Sequence, residues 1–162
     1  MNTALYIRPA VVDDATTILG FIRELAIYEK AEHEVIATVD SIADSMFGPD
    51  SATRGLIAET GDKAIGFAVY FFSYSTWLGK HGIYLEDLFV APDYRGLGAG
   101  KALLQQLARL ALENDCGRVE WSVLDWNEPA IQFYKSIGAQ AKDEWIGYRL
   151  SGSALVDFAR QQ

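Results

Sequence analysis

A mixed β-sheet flanked by helices, in the α/β class, is the fold the sequence predicts, and three patterns predict it. Two β-rich runs, Leu56–Glu59 and Ala64–Phe72, are separated by the turn residues Gly61 and Asp62, which is an antiparallel hairpin signal. Further on, a strand-like run over 82–90, a helix-like run over 101–114 and a second strand-like run over 118–124 follow one another, as a crossover to a parallel neighbour requires. Finally, the apolar residues Leu103, Leu104, Leu107, Leu110 and Ala111 recur at helical spacing, giving a helix with one face for a sheet.

Each element follows in order. Residues 5–9 (Leu-Tyr-Ile-Arg-Pro) read as a first strand. Asp13 is then expected to cap a helix carrying Ile18, Phe21, Ile22 and Leu25 and ending near Tyr28. A short helix over 39–46 stops at Gly48-Pro49, after an acidic stretch that holds Glu29, Glu32 and Glu34. The hairpin comes next, then the strand over 82–90, halted by Pro92. After the helix over 101–114 and the strand over 118–124, residues 128–137 form a helix broken at Gly138. One or two strands, over 140–143 and 145–150, and a short terminal helix complete the order.

The 162 residues, half of them apolar, suffice for one domain with its own core, expected to span 1–162, and no linker or repeat interrupts them. A net charge of −8 without any Lys/Arg-rich stretch argues against nucleic acid and suits a cationic ligand. Residues 1–8 lack the features of a signal peptide, and no apolar run approaches the ~20 residues that span a bilayer, so a cytoplasmic protein without a membrane partner is expected. Cys116 stands alone and is read as a small buried hydrophobe. His33 and His81 lack ligand spacing and are read as surface residues, so no metal is expected.

The most informative segment runs from Leu88 to Lys101. There a strand ends and Gly96, Gly98 and Gly100 open a long helix, with Arg95 beside them. Glycines permit close backbone approach, and the free N–H groups of a helix start suit phosphate oxygens. A Walker loop fails because position 102 is Ala, and the Gly-x-Gly-x-Gly spacing differs from a dinucleotide fingerprint.

In its Arg-x-x-Gly-x-Gly wording the segment resembles the pyrophosphate loop of the GNAT superfamily of N-acetyltransferases. Five further segments match in family order: 7–10, 24–29, 74–80, 84–90 and 126–135. Together they resemble the diamine acetyltransferase-like branch. The resemblance implies the family fold, whose splayed strands hold acetyl-CoA, and a homodimer.

It also implies residue roles. Backbone groups of Leu88, Phe89 and Val90 would hold the pantetheine arm. Gly96, Leu97, Gly98, Ala99, Gly100 and Lys101, with Arg95, would hold the pyrophosphate. Asn127, Ala130 and Tyr134 would touch the cofactor from the other side of the gap. Glu86 matches the family's base and Tyr134 its general acid, while Tyr28, Glu29, Trp77, Glu86 and Asp87 fall where the amine would bind. Plainer readings stand beside these: Glu86 as a sheet-surface carboxylate, Tyr134 as a packing aromatic, and Trp77 as packing.

A primary ammonium titrates near 10.4, so it must lose a proton before its nitrogen attacks a thioester, and a carboxylate base suits that task. Polyamine-specific relatives carry an acid where this chain has Ser75, and carboxylates where it has Trp145-Ile146. The wording around 74–77 and 123–127 is closer to the thialysine-acetylating branch. A diamine or lysine-like amine is therefore expected. The alternatives are spermidine or spermine, a protein or peptide amine, or CoA binding without turnover.

Overall fold

The computed structural model describes residues 4–161, in two compact units, Met1–Ser122 and Val123–Gln162. The first unit contains a five-stranded sheet: β1 (Leu5–Pro9), β2 (Thr53–Thr60), β3 (Lys63–Ser75), β4 (Lys80–Val90) and β5 (Val119–Glu120). Strands lie in chain order. The first four are antiparallel, and β5 joins β4 in parallel. The expected mixed sheet flanked by helices is present.

Helix α1 (Ala15–Tyr28) and helix α2 (Val39–Phe47) cover one face of the sheet. Ala15, Ile18, Leu19 and Phe21 of α1, with Ile42 of α2, pack on Ile57, Phe67, Val69 and Phe89. Phe21 stacks on Phe67 at 5.6 Å and lies 5.9 Å from Phe89. Helix α3 (Ala99–Glu113) contributes the buried residues Leu103, Leu104, Leu107 and Ala111. Its spacing is the one the sequence predicts.

The start of α1 differs from expectation. Val12–Asp14 form a 3-10 turn, so Asp14, and not Asp13, stands at the cap position. The Asp14 carboxylate is nevertheless occupied elsewhere. It accepts bonds from Arg8 Nη1 at 2.7 Å, Arg8 Nη2 at 2.8 Å and the Val11 N–H at 2.8 Å. Arg8 also donates from Nε to Glu59 at 2.9 Å, so one guanidinium ties β1, β2 and the approach to α1. At α2, Thr38 and Ser41 cap each other reciprocally.

Two strand expectations are corrected. The strand expected over 118–124 is ordered only at Val119–Glu120, because its pairing with β4 stops at Tyr84↔Glu120. In the second unit, residues 140–150 form no strand among the described residues, since a strand exists only by pairing and that unit holds no other strand. What the second unit does contain is helix α4 (Glu128–Ser136) and helix α5 (Gly152–Arg160). Cys116 is also corrected: it is half-buried in the turn after α3, its N–H bonded to the Ala111 carbonyl at 2.8 Å.

Candidate active site

Strand β4 carries the site because it is paired unevenly. Towards β3 it is bonded along its length, whereas β5 pairs only with Ile83 and Tyr84. Among the described residues, therefore, backbone groups from Leu85 to Val90 directed away from β3 have no strand partner. The Tyr84 hydroxyl and Ser122 Oγ, 3.1 Å apart, mark where the two strands part. Unpaired peptide groups of this kind seek a ligand or water.

A bulge then orders the side chains. Tyr70 pairs with Leu85 and Val69 with Asp87, which leaves Glu86 as the extra residue. In an unbroken strand Leu85 and Asp87 would share a face. The inserted residue turns Asp87 to the α1 face, beside Val69 and next to Glu86. Phe89 follows it there, and its buried side chain belongs to the core, so its backbone alone is left for a ligand. Gly66 supports this arrangement, because a Cβ there would stand 2.7 Å from the Phe89 carbonyl oxygen.

Three carboxylates converge at the bulge. Burial, together with the charges of Glu86 and Glu29, pushes the Asp87 carboxyl up to about 6. Burial also raises the Glu29 carboxyl above its ordinary value. Glu29 sits at the C-terminal end of α1, where Tyr28 contributes a half-exposed ring. A cluster of three acids in which one resists ionisation is a site that gains by receiving a cation.

At the end of β4 the chain turns through Pro92–Tyr94 into the glycine loop. Gly96 and Gly98 have φ of +82° and +84°, in the left-handed region, and Gly98 is the N-terminal cap of α3. A Cβ at either would meet nothing within 4 Å, so backbone conformation and not crowding calls for glycine there. The first helical bond runs from the Ala102 N–H to the Gly98 carbonyl at 2.9 Å, leaving the N–H groups of Ala99, Gly100 and Lys101 without a helical acceptor. They and the helix dipole suit pyrophosphate oxygens. The Arg95 Nε–H donates to the Val90 carbonyl at 3.2 Å, and its guanidinium lies over the Tyr28 and Phe89 rings. It joins the loop to the end of β4.

Trp77 lies in the turn between β3 and β4, and its side chain is exposed. Ser75 is buried, and its hydroxyl accepts the Leu78 N–H at 3.2 Å, so it shapes that same turn. In the second unit, Asn127 begins α4, and Asn127, Ala130 and Tyr134 recur at one-face spacing, each half-buried. The Tyr134 ring lies 5.9 Å from Phe133. Sequence reasoning missed the bulge, for which a lone strand carries no signal, and the employment of Arg95. Among the described residues no group of His, Cys, Asp and Glu could hold a metal ion, and no helix is long and apolar enough to cross a membrane.

The profile of the Acetyltransferase (GNAT) family matches residues 20–139. The chain belongs to this family. It is accordingly an N-acetyltransferase with acetyl-CoA as co-substrate. Among its relatives is the thialysine N-epsilon-acetyltransferase of Mus musculus, 37% identical over 94% of this chain and 96% of that protein. An L-ornithine N5-acetyltransferase of Arabidopsis thaliana is 40% identical over 76% of this chain and 51% of its own length. An integron cassette protein from the mobile metagenome of V. cholerae superposes with a TM-score of 0.82 at 29% identity, covering 97% of this chain and 98% of that one.

Proposed function

We propose that this single acetyltransferase domain moves the acetyl group of acetyl-CoA directly onto the primary amine of a small cation, a diamine or lysine-like molecule. The observation that carries the reading is the group of Glu29, Glu86 and Asp87 at the β4 bulge. A second ammonium on the substrate would pair with Asp87 and Glu29, while Glu86 takes the proton of the reacting one, directly or through a water. The freed nitrogen attacks the thioester carbon. The tetrahedral oxyanion is held by a backbone N–H near Val90, where β4 has lost its β5 partner. As the C–S bond breaks, Tyr134 gives the departing thiolate a proton, the former amine nitrogen gives up its second proton, through water, to the Tyr134 phenolate, and an acetamide and CoA leave.

The names of the mouse and Arabidopsis relatives support a lysine- or ornithine-like substrate. Spermidine or spermine is favoured by a 33% identical human relative named spermidine/spermine N(1)-acetyltransferase-like protein 1, which matches 96% of this chain over 24% of its own length. Ser75, buried at the end of β3 and bonded to the turn that follows, also weakens the charge-loss argument against polyamines. We further propose a cytoplasmic homodimer, a reading supported by the likeness to the diamine-acetylating branch.

Direct transfer is tested by incubating the protein with acetyl-CoA alone and then adding amine. Thiol should be released only after the amine is added, with the protein's mass unchanged throughout. A stoichiometric burst of thiol and an acetylated protein without amine would overturn the direct route.

A further inference from the structure

A cleft of about 340 Å³ lies away from the acetyl-transfer site, where the C-terminal end of α2 and the following loop meet the ends of β1 and β2 and the third turn of α3. Ile7, Leu56, Met46 and Leu110 give it an apolar wall, and Ser51, Thr53 and Gln106 add polar groups. Arg54 is the one charged residue lining it.

Two groups give the cleft a chemical character. Arg54 and Tyr70 are partners across β2 and β3 and both line the space. The Arg54 guanidinium donates from Nη1 to the carbonyls of Ser51, at 2.8 Å, and Thr53, at 3.1 Å. Those bonds hold the side chain in place, and its remaining N–H groups are available to a ligand. Tyr70 is a nearly buried residue, 6% exposed. Burial raises its phenol, the nearby Arg54 charge lowers it, and no hydrogen bond contributes. Since no buried side-chain polar atom among the described residues lacks a partner, the Tyr70 hydroxyl opens onto the cleft.

We propose that this cleft binds a small apolar carboxylate, its anionic head on Arg54 and the Tyr70 hydroxyl and its body against the aliphatic walls. The Arg54 guanidinium can only donate and the Tyr70 hydroxyl is able to donate, so the two together suit an acceptor-rich head, and a guanidinium fits a carboxylate in two-pronged fashion. The space equals that of about ten waters, which suits a phenylacetate- or hexanoate-sized molecule. No step of acetyl transfer uses these residues. The site shares α3 with the glycine loop, so any coupling between carboxylate and acetyl-CoA affinities must be reciprocal.

The test is ligand-observed NMR on the whole chain with acetyl-CoA at saturation, so that the transfer site is filled. Phenylacetate and hexanoate are compared with phenylacetamide and hexanamide. The carboxylates should bind with Kd of about 1 mM or tighter, and the uncharged amides at least about tenfold more weakly. Arg54→Gln, at an exposed side chain, should abolish that difference, and Tyr70→Phe should weaken the carboxylates several-fold. Equal binding of acids and amides, or undiminished carboxylate binding by Arg54→Gln, overturns the proposal. Absence of binding does so too, including the case in which sedimentation shows a second copy of the chain covering the cleft.

Discussion

Replacing Asp87 with Asn should stabilise the protein while impairing its use of substrate. The Asp87 carboxyl rises from 3.8 to about 6, by burial first and by the Glu86 and Glu29 charges after it. At about 1.4 kcal/mol for each tenfold in proton affinity, that rise corresponds to about 3 kcal/mol at most. Screening at a half-buried side chain reduces it to about 1–2 kcal/mol. The sign follows from linkage. The folded state holds the proton more tightly than the unfolded chain, so stability falls as pH rises from about 4 through about 6, and the full cost of the charge is present at pH 8. Asp87→Asn removes that cost, and in a chain of this size 1 kcal/mol moves Tm by about 2–4 °C. Calorimetry at pH 5 and pH 8 should show the variant gaining several degrees over the wild type, with most of the gain at pH 8. KM for a diamine should rise at least about tenfold, with acetyl-CoA affinity unchanged. A variant destabilised equally at both pH values, or one that keeps the wild-type KM, would refute the role assigned to the carboxylate cluster.

Other perturbations separate the remaining parts of the site. Gly98→Val forces a β-branched residue to φ +84°, at a cost of about 1–2 kcal/mol or more, and should weaken acetyl-CoA binding at least about tenfold in titration calorimetry while circular dichroism still reports a folded chain. Tyr134→Phe should lower kcat about 10²–10⁴-fold with acetyl-CoA affinity preserved; wild-type turnover would make Tyr134 a packing residue. The Arg8 guanidinium holds the Asp14 carboxyl below its ordinary range, so the stabilisation is present above about pH 4 and is lost as pH falls further. Asp14→Asn should accordingly cost about 2 kcal/mol in urea unfolding at pH 7 and progressively less as pH falls below about 4.

What the sequence revealed, and what it did not, divides along local and non-local physics. The first hairpin and α3 were legible because turn residues and side-chain periodicity are properties of a single segment. Gly96 and Gly98 were legible for the same reason, since left-handed backbone selects its residue directly. Strand 118–124 was over-read because its length is set by where β4 stops accepting it, which no feature of residues 118–124 records. The alternation of residues 145–150 likewise resembles a strand, yet alternation supplies no partner. Asp14 and not Asp13 stands at the cap position, its carboxylate taken up by Arg8, and Ser75, the last residue of β3, accepts the Leu78 N–H of the turn that follows. At the site, Glu86 and Asp87 were recognisable as acids. Their convergence with Glu29 depends on a bulge defined only by the register against Tyr70 and Val69.

The central claim, a carboxylate cluster that admits a short cationic amine to acetyl-CoA, is tested most directly by kcat/KM for a short diamine, a lysine-like amine, spermine and a monoamine analogue lacking the second ammonium, measured side by side at two ionic strengths. The short diamine or lysine-like amine should be at least as good as spermine, because further ammonium groups gain only about 0–1 kcal/mol each at exposed sites and less at high salt. A preference of about tenfold for spermine, about 1.4 kcal/mol, or equal rates for the monoamine analogue, would contradict it.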